Sequence, residues 1–234
     1  MPRAQRNALA EIIIAALHDR GARATLAVLT RVLDADGPVV IAATAAAPLR
    51  KHRIVVATRV GQAPPEGTGP SPVSTTGERS HVEVALAPAF ARVRGVAAAR
   101  TRAACDAAEA YWRSAGRRSD DALADALHRA VALFAAGLYF EVHEELEPVW
   151  RRSGGTARVA LQGLIQIAVA LHHAERGNVA GARRLLAAGR AKVEPHAPVW
   201  EGVAIDTLLA DLRRWERACL DEGRVATAPR LVLA

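Results

Sequence analysis

The sequence predicts a mainly α protein, with a C-terminal multihelical bundle preceded by a small α+β N-terminal domain. Three observations predict it. The four tryptophans, Trp112, Trp150, Trp200 and Trp215, all lie at or after position 112, and large aromatics dominate core energetics. Helical periodicity with short Gly-containing breaks runs through the second half, whereas the segments that read as strands lie in the first. The chain has 234 residues, 51% of them hydrophobic, enough for one good core or two smaller ones.

In the first part, 7-NALAEIIIAALHDRG-21 reads as a helix closed by Gly21. The following ATLAVLTRVLDADGPVVIAAT fits a helix or a strand–turn–strand unit about Asp36-Gly37, with the second slightly favoured. Residues 53–60 and 81–87 have the β-branched enrichment of strands, and 88–113 reads as a helix from its proline onward. Between the strands, 61–80 is rich in Gly, Pro, Ser and Thr and is expected to be a mobile loop. It lacks the GxxxxGK[ST] phosphate-binding pattern. The polar run 114-SAGRRSDD-121 suggests a boundary between a domain of residues 1–115 and a bundle of residues 118–222, followed by a tail, 223–234. Bundle helices are expected at about 120–137, 139–152, 156–176, 178–193 and 204–222, punctuated by Gly137, 153-SGG-155, 177-GN-178 and 194-EPHAP-198. Such short connections imply antiparallel neighbours.

Composition narrows the function classes. The net charge is +7 and the excess of base is carried mostly by residues 1–110, which makes that part the side expected to meet anions, nucleic acid included. Only Lys51 and Lys192 among the 31 basic residues are lysines, so the charge reads first as an arginine-rich composition. No run approaches the ~20 apolar residues of a membrane span, and Glu11 interrupts the apolar stretch near the N-terminus. The two cysteines, Cys105 and Cys219, are far apart and lack metal-binding spacing. A cytoplasmic protein with reduced thiols and no membrane contact is the expectation. No GxSxG turn is present for a Ser-His-Asp hydrolase.

The chemistry concentrates in 137-GLYFEVHEELEPVWRR-152. At 100° per residue, Tyr139, Val142, Leu146, Val149 and Trp150 form an apolar arc, with Glu141, Glu145 and Arg152 opposite. His143 and Glu147 fall at the edge of the arc beside Phe140, and Glu144 lies one step further round. In the next helix, apolar nearly all round, Gln162, Gln166 and His173 share one stripe. Unpartnered polar groups there would cost roughly 1–3 kcal/mol each, so the stripe is expected to face the His143/Glu144/Glu147 edge.

These two segments resemble the family called "domain of unknown function 309". Its recurring pattern is an aromatic-Glu-x-His-Glu-x-x-Glu-x-x-Trp helix, then a Gln-Gly-x-x-Gln helix and a Gly-Asn turn. The likeness covers about residues 120–215. It implies a small multihelical fold, with Phe140, Glu141, His143, Glu144, Glu147, Trp150, Gln162, Gly163, Gln166, His173 and Gly177 at the motif positions. The family's name brings no reaction with it, and the first 110 or so residues lie outside the resemblance.

Three readings of the cluster follow. In the first, Phe140, His143, Glu144, Glu147, Trp150, Gln162, Gln166 and His173 form a buried polar network that fixes helix register or binds a small molecule. In the second, His143, Glu147 and His173 ligate a divalent metal, with Glu144 as the general base of a hydrolase-like enzyme; without a metal, Glu144 or Glu147 paired with His143 is the acid/base candidate. Glu147 stands where zinc peptidases of the His-Glu-x-x-His type place their second histidine, and neither helix carries the Glu-x-x-His of di-iron bundles. In the third, the basic N-terminal domain binds nucleic acid and the bundle acts as a sensor. A homodimer through an exposed helix face is compatible with each.

Overall fold

The computed structural model describes residues 1–61, 81–114 and 121–234. They group into two compact units, Met1–Cys105 and Asp106–Ala234, and the architecture is mainly α, as expected. Of the loop expected over 61–80, Gly61 ends a strand and residues 62–80 lie outside the described residues, as do residues 115–120.

The first unit opens with α1 (Arg3–His18) and α2 (Arg23–Asp34), which bury Leu9, Ile13 and Leu17 on one helix and Leu26, Leu29 and Leu33 on the other. The strand–turn–strand expectation for residues 24–44 holds only for the single strand after Asp36-Gly37. Thr25, Leu26, Leu29, Val32 and Leu33 recur at helical spacing and form a single buried face, so the first half is helix and only β1 (Val39–Ala42) is strand. Arg94 fixes the end of α2 by donating to the Leu33 carbonyl and to Asp36. Helix α3 (Ala43–Lys51) follows β1. Strands β2 (Val55–Gly61) and β3 (His81–Leu86) complete an antiparallel sheet of order β1-β3-β2. Central β3 points Val82 and Val84 into the core. The helix expected over 88–113 is broken at Arg92 and Val93 into α4 (Pro88–Ala91) and α5 (Arg94–Arg113).

The second unit contains the end of α5, α6 (Ala122–Ala135), α7 (Tyr139–Arg152), α8 (Gly155–Glu175) and α9 (Val179–Val193), within a residue or two of the expected spans. From α6 to α9 each helix packs on the next. Their turns use Gly137 and Gly177 at φ +69° and +74°, a backbone region that glycine enters without a Cβ penalty. A short hairpin, β4 (Val199–Trp200) and β5 (Val203–Ala204), leads into α10 (Ile205–Trp215). A π-helical turn, Glu216–Asp221, extends α10. The expected tail is a packed strap: Leu231 is buried, Ala204 N–H donates to the Val232 carbonyl, and Ala234 N–H donates to that of Gly202. Among the described residues no helix is long and apolar enough to cross a membrane.

Candidate functional site

Helix α7 is buried on more of its circumference than the sequence predicts. Tyr139, Val142 and Leu146 face the core as expected, and burial pushes the Tyr139 phenol up to about 12, with the Glu175 charge adding to the effect. Glu141 and Glu145, expected on the solvent side, are 0% and 4% exposed. For Glu145 the physical cause lies on α6. Arg129, itself 7% exposed, donates through Nε to Glu145 Oε1 at 2.7 Å, and its Nη1 reaches Asp125 one turn earlier on α6. Tyr111, on the last turns of α5, donates its hydroxyl to Asp125 Oδ1 at 2.8 Å and lies 3.4 Å from Arg129 Nη1. Burial alone would lower the Arg129 pKa; the paired Glu145 and Asp125 outweigh it, so the guanidinium is held more firmly charged. Tyr111, Asp125, Arg129 and Glu145 thus form a buried polar network that joins α5, α6 and α7.

The motif cluster itself sits at the surface. His143, Glu144 and Glu147 are 26%, 38% and 29% exposed at their side chains, so the expectation of a buried cluster is corrected. Each offers one ligand atom, and these atoms lie within 4.8 Å of one another. A proton on His143 Nδ1, donated to Glu144 Oε1 at 3.1 Å, leaves the Nε2 lone pair directed toward Glu147 Oε2, 3.8 Å away. Glu147 spends its other oxygen on Arg151 Nη2, at 2.8 Å. Phe140 forms an aromatic wall, its ring centroid 6.1 Å from that of His143 and 5.8 Å from that of His172.

The remaining expected members are placed elsewhere. Gln166 accepts from Lys192 Nζ of α9 at 3.0 Å, so it faces α9 and not the His143 edge. Gln162 is half-buried one turn before it. Trp150 is half-buried beneath the Arg158 guanidinium, 4.3 Å from its ring centroid. Between the glutamines, Gly163 meets Gly189 of α9 back to back. A Cβ on Gly163 would lie 2.9 Å from the Gly189 carbonyl oxygen, and one on Gly189 would lie 2.8 Å from that of Gly163. The glycine of the Gln-Gly-x-x-Gln pattern is thus a helix-contact residue.

His173 does not join the metal-ligand geometry expected for it. Its Nδ1 accepts from Asn178 Nδ2 at 2.7 Å. Asn178 Oδ1 in turn accepts from Gly181 N–H at 3.0 Å and caps α9. The Gly177 and Asn178 N–H groups close α8 on the carbonyls of Ala174 and His173. The Gly-Asn turn and His173 therefore form one capping device. Burial, with the charges of His172, Arg184 and Arg176, lowers the His173 pKa below 6.5. The folded unit prefers the neutral ring, so this contribution is complete above about pH 6.5 and is lost as pH falls through the depressed folded value. An NMR titration of His173 should give a midpoint below 6.5, and a midpoint at or above that value would contradict this balance of burial and neighbouring charge.

Sequence reasoning missed Tyr111, Asp125, Arg129 and Gly189. One signal was present: Asp125 and Arg129 are four apart on a helix otherwise rich in Ala and Leu.

The family described as "Domain of unknown function (DUF309)" matches residues 127–185. This span is narrower than the 120–215 of the resemblance and holds Arg129, all of α7 and α8, and the Asn178 cap. The "Uncharacterized protein YpuF" of Bacillus subtilis (strain 168) is 39% identical over 88 residues, 37% of this chain and 42% of that protein. The chain thus covers less than half the length of this curated relative. No solved structure matches.

Proposed function

With residues 127–185 carrying a DUF309 domain, we propose that the helical unit is a small-ligand-binding module. Its site is the solvent-open face of α7, and its ligand is a divalent cation. The observation that carries this reading is the approach of His143 Nε2 to Glu147 Oε2, 3.8 Å apart on a half-exposed face with the Glu144 carboxylate on His143 Nδ1, while a different set of side chains packs between the helices. His143 Nε2 and Glu147 Oε2, one helical turn apart, suit zinc or manganese, which take imidazole and carboxylate ligands.

Glu144 acts through His143: accepting from Nδ1 fixes the tautomer that presents Nε2 to the metal. Arg151 performs a similar task for Glu147, holding one oxygen so that the other faces His143. The hydrolase-like alternative needs Glu144 as base on a metal-bound water. Its engagement with Nδ1 favours a binding role.

Calorimetric titration of the full chain with zinc and with manganese tests the proposal. One saturable site is expected. His143→Ala should abolish it with little change in Tm, because the side chain is half-exposed, and Glu144→Gln should weaken it roughly tenfold or more. Absence of saturable binding, or undiminished binding in a folded His143→Ala variant, would sink the idea.

A further inference from the structure

We propose that the end of α10 and the strap beyond it form a second binding site, for a small molecule that carries an anionic group on an aromatic body. Arg224 N–H donates to the Ala218 carbonyl at 2.8 Å, and Arg230 N–H donates to Asp211 Oδ2 at 3.2 Å. Beyond these two pins the chain is fixed again at Leu231, Val232 and Ala234. The intervening strap does not close down on α10. A cavity of about 510 Å³ remains beneath it, lined by Asp211, Arg214, Trp215, Ala218, Thr227 and Arg230 among others. That volume lies within the range of roughly 300–1,000 Å³ usual for small-molecule sites. One wall, at Ala218, belongs to the π-helical turn, a geometry concentrated at functional positions.

The lining divides into two kinds of surface. Asp211 is 6% exposed, and its carboxylate receives Arg230 Nε at 2.8 Å, Arg230 Nη2 at 3.4 Å, and Arg214 Nη2. The Arg230 hydrogen bonds, helped by the Arg214 charge, outweigh burial and hold the Asp211 carboxyl below its ordinary value. One anion thus orients two guanidiniums and neutralises only one of them. Each arginine has five N–H donors, and the contacts to Asp211 leave several unused. Two oriented, incompletely compensated guanidiniums are suited to an oxyanion, by charge and by fork geometry. Beside them the Trp215 ring and Ala218 offer an apolar face for a planar group, with the Thr227 hydroxyl as a further polar contact. The site lies outside residues 127–185, so it is independent of the cation site.

The test is calorimetric titration of the full chain at low salt with phenyl phosphate, inorganic phosphate and neutral benzamide. Phenyl phosphate should bind at a single site, about tenfold or more tighter than inorganic phosphate, and benzamide should not saturate. Arg214→Gln should weaken phenyl phosphate about tenfold or more, the scale of a lost charge-assisted hydrogen bond. Its Tm should stay unchanged, because Arg230 still occupies Asp211. Trp215→Leu should remove the preference for the aryl compound and leave inorganic phosphate binding in place. No saturable binding of phenyl phosphate, equal affinity for the two phosphates, or indifference to Arg214→Gln would each overturn the proposal.

Discussion

Arg129→Ala is expected to destabilise the helical unit by about 3–5 kcal/mol, the cost of removing one partner from a buried ion pair. The guanidinium is 7% exposed and faces Glu145, 4% exposed, at 2.7 Å. Without it the buried Glu145 carboxylate loses its paired cation. Asp125 and the Tyr111 hydroxyl lose the same partner. For a unit of this size the loss corresponds to a fall in Tm on the order of 10 °C or more, measurable by circular dichroism. The mechanism also predicts a rescue. Arg129→Met combined with Glu145→Leu should recover much of the loss, because well-packed apolar replacements of a buried pair are often neutral or stabilising. A change below about 1 kcal/mol, the usual worth of an exposed pair, would show that the network does not stabilise the unit.

Gly163→Ala is expected to cost about 1–3 kcal/mol, the usual penalty of overpacking, despite a gain of up to about 1 kcal/mol in helix propensity. The added Cβ would meet Val193 Cγ1 at 2.7 Å and both the Gly189 carbonyl oxygen and Lys192 Cβ at 2.9 Å. A backbone oxygen cannot swing aside as a side-chain tip can, so α8 and α9 must separate. Gly163→Leu should therefore prevent them from docking. Gly95→Ala, in a helix position with nothing within 4 Å of the new Cβ, serves as the control and should be neutral or stabilising. Chemical denaturation of the three variants checks the order; equal stability of Gly163→Ala and Gly95→Ala would contradict the close contact.

The helices of the second unit were legible because their cues are local. Gly137, Ser153-Gly154 and Gly177-Asn178 punctuate apolar repeats, and each break becomes a turn. The first unit was harder to read. Residues 23–34 mix β-branched and unbranched apolar side chains, and what makes them helical is a single buried face supplied by tertiary packing. Helix α3 has only Ala46 and Leu49 to bury and contains Pro48, so it carries almost no periodic signal.

In the site, the motif positions on α7 were found, but their burial was inverted. A helical wheel assigns carboxylates to solvent by default, and only the presence of Arg129 on the neighbouring helix makes Glu145 an interior residue. The convergence of His143 with Glu147 followed from four-residue spacing alone. The diversion of Gln166 to Lys192 and of His173 to Asn178 depends on partners contributed by α9 and its cap, which spacing within one helix cannot reveal.

The central claim, a cation on the open face of α7, is tested most directly by elemental analysis of the full chain, purified without a metal-affinity tag, beside His143→Ala. The account predicts about one zinc or manganese per chain, lost in the variant while the Tm is kept. A wild-type protein that carries no metal and takes none up when it is added, or a variant with the same metal content, would contradict it.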